Sequence, residues 1–324
     1  ESALYAELGD DEYIEDPTVN NLEDECANLL GFEKGLFVSS GLMGNQISLL
    51  IHNDPGTEVI TPFDSHIKNY EHGAAAFLSR VQFRDAEHVD GELNLDNVEK
   101  LILKSKVHKP IIKTVSIENT HLASGGSIVS FNSIKSLSKI VREHDLKLHI
   151  DGARIWHAIL EDKNMNYGDY CDSLTFCFSK ALGAPIGSML LGSAEFIREA
   201  REYRKKLGGG MRQVGIIASA AKYAINKREE LLHDHEKALY IYKELNSNKE
   251  KLYLISEIKY KRTNMIFLIF EDSNISNNFL EKLEGGGIKA GLIKKNIVRL
   301  VLHKDIHHGD LDKIVKTIIY SSSE

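Results

Sequence analysis

Short apolar runs alternate with helix-period stretches through most of this chain, and that alternation constrains the fold more than any other feature. Gly35 to Val38 is followed by an amphipathic stretch from Met43 to Ile51. Glu58 to Thr61, Ile111 to Ile117, Lys147 to Ile150, Leu174 to Phe178 and Ile186 to Leu191 are further strand-like runs, with a helix over Ser133 to Glu143 between two of them. Buried runs joined by helices need crossover connections, and these build a mostly parallel sheet covered on both faces. An earlier helix-period set, Leu22, Cys26, Leu29 and Leu30, stops at Gly31, a residue suited to a helix end.

The pattern changes after Gly208-Gly209-Gly210. One long helix is expected from Met211 to about Asn246, apolar at first (Val214, Ile216, Ile217) and then charged. Strand-like Met265 to Phe270 and Ile297 to Leu302, with helices near Asn277 to Leu283 and over Asp310 to Tyr320, complete a compact α+β unit. The expected division is a large domain over 1–230, including an N-terminal segment 1–20, and a small C-terminal domain over 231–324.

Composition removes several classes. With 324 residues and 42% hydrophobic content the chain can bury a substantial core. Lys+Arg 40 against Asp+Glu 47 gives a net charge of −7, which suits no general ligand for a nucleic-acid backbone. No apolar run reaches the roughly 18 residues a membrane span needs; Val214 to Ala221 is cut off by Lys222. Glu1-Ser2-Ala3 has no basic or apolar leader character, so a soluble, cytoplasmic protein is expected. Ala3 to Leu8 already looks helical, and the natural start is expected upstream. Cys26, Cys171 and Cys177 form neither a disulfide framework nor a zinc pattern. His303, His307 and His308 lack the partners of a metal site, and no metal is expected.

In an open parallel sheet, ligands bind beyond the carboxyl ends of the strands. Four places there carry chemistry. Ser39-Ser40-Gly41-Leu42-Met43-Gly44-Asn45 enters a helix through small residues, which makes either a plain cap or a phosphate cradle of free N–H groups. Asp151, after Leu148-His149-Ile150 and before Gly152-Ala153-Arg154, is either a helix cap or a crevice carboxylate in need of a partner. Lys180, after Phe176-Cys177-Phe178-Ser179, is either a lysine reaching to solvent or a desolvated nucleophilic amine. His66 and His121 each follow a strand-like segment, where a structural histidine and a functional one look alike. Taken together, a phosphate cradle, a His, an Asp and then a Lys about thirty residues on is the order of a pyridoxal phosphate site.

These residues also carry a family resemblance, which runs from about Leu8 to the C-terminus. The chain resembles the L-threonine aldolases, low-specificity and L-allo forms, within the β-eliminating lyase superfamily. The match rests on Gly9-Asp10-Asp11-Glu12-Tyr13, Glu15-Asp16-Pro17-Thr18-Val19, Ser40-Gly41 with Asn45-Gln46, and His66 with Tyr70-Glu71. It continues through Glu118-Asn119-Thr120-His121, Asp151-Gly152-Ala153-Arg154, Ser179-Lys180 with Leu182-Gly183-Ala184-Pro185, Gly208-Gly209-Gly210-Met211-Arg212-Gln213, and Val298-Arg299-Leu300 with His303. The fold implied is the α/β, pyridoxal-phosphate-dependent transferase-like architecture of aspartate aminotransferase (fold type I), a large mostly parallel-sheet domain with a smaller α+β C-terminal domain.

The resemblance implies roles residue by residue. Lys180 forms the Schiff base with pyridoxal 5'-phosphate, Asp151 pairs with the pyridine nitrogen, and His66 stacks on the ring. Gly41 and Leu42 offer N–H groups to the phosphate, aided by Arg212 from a neighbouring subunit. Arg154 and Arg299 clamp the substrate carboxylate, while Tyr13 and His121 line the pocket near the β-hydroxyl. The implied reaction cleaves L-threonine or L-allo-threonine to glycine and acetaldehyde through a quinonoid intermediate, with His66, His121 or a bound water as base. A homodimer or homotetramer with sites at its interface is implied, acting on a small β-hydroxy-α-amino acid in glycine metabolism. Leu42 stands where the family usually has Thr, Ile14 where Gly is usual, and Ala181 replaces Gly; a carboxylate-binding Ser is expected ahead of Glu1. The rival readings are an aldolase for bulkier substrates such as phenylserine, a β-eliminating lyase, or a weakly active cofactor-binding homologue.

Overall fold

The computed structural model describes residues 2–104 and 108–323. It contains two compact units, one of residues up to 122 together with 128–228, the other of 123–127 with 229 onward. In the first unit the strands are β1 (Lys34–Val38), β2 (Glu58–Pro62), β3 (Gln82–Ala86), the short hairpin β4 (His88–Val89) and β5 (Glu92–Leu93), then β6 (Ile112–Glu118), β7 (Lys147–Asp151), β8 (Ser173–Cys177) and β9 (Ser188–Gly192). Seven of them form one sheet in the order β1-β9-β8-β7-β6-β2-β3. β3, β2, β6, β7 and β8 run parallel, and β9 lies antiparallel between β8 and β1.

The burial of the strands explains the architecture. β2, β8 and β9 are buried at every position, so both faces of the sheet need cover, and the helices between strands supply it. Helix Pro17–Leu30 begins where Asp16 accepts from the N–H groups of Thr18 and Val19, both at 3.1 Å, and ends on left-handed Gly31. β3 was not legible as a strand because it is the edge of the sheet and only Ala86 is buried in it.

The expected long helix from Met211 to Asn246 is instead two helices, Gly215–Asn226 and Leu232–Ser247, separated by a 3-10 turn over Arg228–Leu231. The first buries Ala218, Ala221 and Ile225 in the larger unit, and the second buries Ala238, Ile241 and Leu245 in the smaller one. The smaller unit adds β10 (Glu257–Tyr260), β11 (Met265–Ile269), β12 (Gly291–Lys294) and β13 (Ile297–Val301), an antiparallel sheet in the order β10-β11-β13-β12, and the helices Ser273–Gly285 and Leu311–Ser321. Residues 123–127, which sequence pattern assigned to the first domain, join this unit, where the Thr263 hydroxyl donates to the Gly126 carbonyl at 2.9 Å. Among the described residues no helix is long and apolar enough to cross a membrane.

Candidate active site

Helix Gly41–His52 begins beside the carboxyl end of β8. The Ser40 hydroxyl caps it by accepting from the Met43 N–H at 3.2 Å. Small residues are required on its packed side: a Cβ at Gly41 would lie 2.7 Å from Cys177 Sγ, and one at Gly44 would lie 2.7 Å from Thr175 Cγ2. The N–H groups of Gly41 and Leu42 have no carbonyl of their own helix to bond, and the positive end of the helix dipole favours an anion there. These groups fit a phosphate ester.

Next to this cradle stand the ends of β6 and β7, where Glu118 and Asp151 are register partners. Asp151 is buried; its Oδ2 accepts from Asn45 Nδ2 at 2.9 Å and its Oδ1 from the Ala153 N–H at 3.1 Å. Glu118 is buried too, accepting from the backbone N–H groups of His66 at 2.9 Å and Leu122 at 3.1 Å. Burial, reinforced by the charge of Asp151, pushes Glu118 up to about 7. A third buried carboxylate, Glu71, accepts from Asn45 Nδ2 at 2.9 Å and Gln46 Nε2 at 2.6 Å, and lies 3.3 Å from His66 Nδ1. Burial raises Glu71 as well. For His66 burial acts downward, but the Glu71 hydrogen bond and the charges of Asp151 and Glu118 outweigh it and hold the imidazole above its ordinary value. Its ring stacks on Tyr70 at 5.6 Å and stays partly open.

Lys180 follows β8 in a loop closed by hydrogen bonds from the Gly183 N–H to the Lys180 carbonyl and from the Ala184 N–H to the Phe178 carbonyl, both 3.0 Å. Its charge reaches His66 and opposes protonation there. The structure thus gathers four sequence candidates at one crevice: the Gly41–Leu42 helix end, His66, Asp151 and Lys180. Arg154, three residues beyond Asp151, stands at the start of helix Ile155–Asp162. A ring nitrogen beside Asp151, an aldehyde reaching Lys180 Nζ and a phosphate at the helix end are what this donor set suits.

The remaining candidates are held by contacts of their own. His121 is fully buried, with Nε2 3.4 Å from Asp64 Oδ1; His88 Nε2 lies 2.9 Å from the same oxygen, and the two rings are 5.1 Å apart. By spacing, Asp64, His88 and His121 suit a metal ion. A metal-bound Nε2, however, needs its proton on Nδ1, and Nδ1 of His88 accepts from the Gly91 N–H at 3.1 Å. His88 therefore carries its proton at Nε2, beside Asp64 Oδ1. Tyr13 and Arg212 are paired with one another, guanidinium over ring at 5.7 Å, and Arg212 is also held by Asp10 at 2.7 Å. Arg299 lies on β13 of the smaller unit.

Sequence reading left Asn45, Glu71, Glu118, Asp64, His88 and His149 without roles. One signal was present: Asn45-Gln46 and Glu118 are polar residues inside apolar stretches, and such residues are buried only with partners.

The β-eliminating lyase family model matches residues 1–271. Low-specificity L-threonine aldolase 1 of Arabidopsis thaliana is 38% identical over 320 residues, covering 96% of this chain and 88% of that protein. The low specificity L-threonine aldolase of Escherichia coli K12 is 36% identical over 323 residues, covering 97% and 92%. Among solved structures, a threonine aldolase from Leishmania major superposes with a TM-score of 0.80 at 22% identity, covering 94% of this chain and 89% of that one. A serine palmitoyltransferase from Sphingomonas wittichii does so at 0.70 and 15% identity, covering 94% and 76%; at such identities these two speak for the fold alone. With buried Asp151 near half-open His66 and Lys180 at a free helix end, and with relatives of this closeness along nearly its whole length, the chain belongs to the β-eliminating lyase family and is a pyridoxal-phosphate-dependent lyase of fold type I.

Proposed function

We propose that this protein is an aldolase that cleaves L-threonine and L-allo-threonine to glycine and acetaldehyde. The observation that carries the reading is the assembly around Asn45, which ties Asp151 and Glu71 into one buried unit beside His66 and Lys180. Lys180 Nζ would hold the cofactor's aldehyde end, Asp151 its ring nitrogen and His66 a ring face, and the Gly41 and Leu42 N–H groups would take its phosphate. When bound, pyridoxal phosphate supplies the sink for the electron pair released as the Cα–Cβ bond breaks.

The chain's own residues then orient the substrate and move one proton. Arg154 offers paired donors to the α-carboxylate, a role the resemblance also gives to Arg299. Fixing that carboxylate would select which bond at Cα breaks. The resemblance gives the β-hydroxyl proton to His66, His121 or a bound water, and sets His121 and Tyr13 along that part of the pocket. His66, its pKa held above the ordinary value by Glu71 and by the charges of Asp151 and Glu118 against the effect of burial, would cover a ring face. Arg212, paired with Asp10 yet 62% exposed on its side chain, is given the phosphate site of a second copy, and exposed Leu42, Phe63, Phe77 and Ile186 give the larger unit apolar surface to cover. A homodimer or homotetramer, acting in the cytoplasm on free amino acids in glycine metabolism, completes the proposal.

The test is product analysis with cofactor-loaded protein given L-threonine, L-allo-threonine, phenylserine and L-serine. Acetaldehyde and glycine in equal amounts from either threonine epimer support the proposal. Keto acid and ammonia in place of aldehyde, or benzaldehyde from phenylserine alone, contradict it.

A further inference from the structure

Asn45 sits on a buried helix face where an apolar side chain would pack more cheaply, and it is 2% exposed. Its amide is fully engaged. Nδ2 donates to Glu71 Oε1 and to Asp151 Oδ2, each at 2.9 Å, and Oδ1 meets His149 Nε2 at 3.1 Å. Beyond His149, Nδ1 meets Ser173 Oγ at 2.9 Å, and that same oxygen meets His52 Nε2 at 2.8 Å. The path runs from the amino end of β8, through the middle of β7, to the carboxylate at the carboxyl end of β7.

Elementary donor–acceptor counting fixes every proton along it. Two carboxylates need donors from Asn45, so its NH₂ faces them and its oxygen faces His149. His149 Nε2 must then carry a proton. Burial lowers His149 to about 4 and His52 to about 3, so both rings are neutral near pH 7. A neutral His149 protonated at Nε2 must accept at Nδ1, which requires the single Ser173 hydroxyl proton. Ser173 Oγ can then only accept from His52, whose Nε2 carries its proton. The four links are head to tail, each donor pointing towards Asp151.

We propose that the His52–Ser173–His149–Asn45 relay is a positioning device that fixes the Asn45 amide as a donor to Asp151, and so supports the negative charge by which Asp151 would keep the cofactor's ring nitrogen protonated. The inference rests on the function proposed above. The titratable groups around Asp151 are His149 on its own strand, Glu118 on β6, and Glu71 and His66 after β2, with Lys180 after β8 acting on His66. The Asn45 amide serves Glu71 and Asp151 alike, and Asp151 also accepts from the Ala153 N–H. Hydrogen bonds chained in one direction polarise one another, so a cut at a distant link is felt at the carboxylate.

The experiment uses holoenzyme reconstituted with pyridoxal phosphate carrying ¹⁵N in its ring, in wild type, N45L and S173A, and follows the ring nitrogen's chemical shift with pH. The pH at which the ring nitrogen loses its proton is expected to fall by about one unit in N45L, the loss of one hydrogen bond to a charged group, and by a smaller but resolved amount in S173A. S173A removes only an oxygen, so it keeps the core shape if N45L does not fold. A purely structural role would lower the unfolding temperature of S173A and leave the ring-nitrogen titration at the wild-type position, which overturns the proposal. Side-chain ¹⁵N spectra of cofactor-free wild type give a second readout: His52 and His149 are expected neutral and protonated at Nε2 down to about pH 5. A His149 that carries its proton at Nδ1, or titrates near its ordinary value, overturns it too. Failure of any cofactor to attach at Lys180 would remove the proposed function and this inference together, whereas normal attachment with unshifted titrations removes the inference alone.

Discussion

Replacing Asp11 with Ala strips the counter-charge from a buried guanidinium. Asp11 is fully buried, and its Oδ2 receives Arg204 Nη2 at 2.6 Å while its Oδ1 receives Arg201 Nη1 at 3.2 Å. Arg204 is 2% exposed, and its other amino group donates to the Phe37 carbonyl at 2.8 Å. Arg201 continues to Glu23 Oε2 at 2.8 Å, and Glu23 Oε1 accepts from the Phe37 N–H at 2.8 Å. The network thus pins the turn carrying Tyr13 to β1. Breaking one side of a buried pair costs about 3–5 kcal/mol, because the remaining charge stays desolvated. Asp10, one residue earlier, pairs with an Arg212 that is 62% exposed and accepts from the Glu12 N–H; its loss should cost only about 1 kcal/mol. The assay is denaturant unfolding of cofactor-free protein followed by the fluorescence of Trp156, the single tryptophan, buried in the larger unit. A D11A variant within about 1 kcal/mol of wild type, or no worse than D10A, would refute the assigned desolvation.

Ile14 adopts φ 62°, a left-handed backbone that strains a β-branched residue; relief of about 1–2 kcal/mol, less the entropy of glycine, should leave I14G more stable by about 0.5 kcal/mol, read as a higher unfolding midpoint. In G44A the new methyl would fall 2.7 Å from Thr175 Cγ2 and 2.8 Å from its hydroxyl, so about 1–3 kcal/mol of stability should be lost and cofactor affinity should weaken in a fluorescence titration. Glu118 holds a proton in the folded state up to about 7 that the unfolded chain releases near its ordinary 4.5. Its contribution is therefore complete at low pH and is lost as pH rises through that window. The stability of E118Q relative to wild type should rise between those two pH values, and a difference that stays flat with pH would contradict the burial argument.

How much of this was legible beforehand depends on distance along the chain. β1, β2 and β6 to β9 were readable because continuous apolar runs between turn residues leave few alternatives. β3 was not, since an edge strand such as Gln82–Ala86 carries polar residues outward. The supposed helix from Met211 to Asn246 failed because periodicity within each half continues smoothly, while the reason for the break lies in two separate cores. At the candidate site, the strand-end rule points to Asp151 and Lys180 directly. Glu71 and His149 escaped it because their importance lies in partners far away in sequence: Asn45 meets Glu71 across 26 positions and His149 across 104. No local pattern encodes such pairings. The polar residues embedded in apolar stretches were their trace, and a buried amide or imidazole demands partners without saying which.

The central claim, that Lys180 carries the cofactor of this lyase, is tested most directly by borohydride trapping. Purified protein incubated with pyridoxal phosphate is expected to show a visible absorption band that borohydride abolishes, leaving the pyridoxyl group on the peptide containing Lys180 when the digest is weighed. Lys180→Ala should show neither the band nor the adduct. A pyridoxyl group found on another lysine, or a band that persists unchanged in Lys180→Ala, would contradict the account.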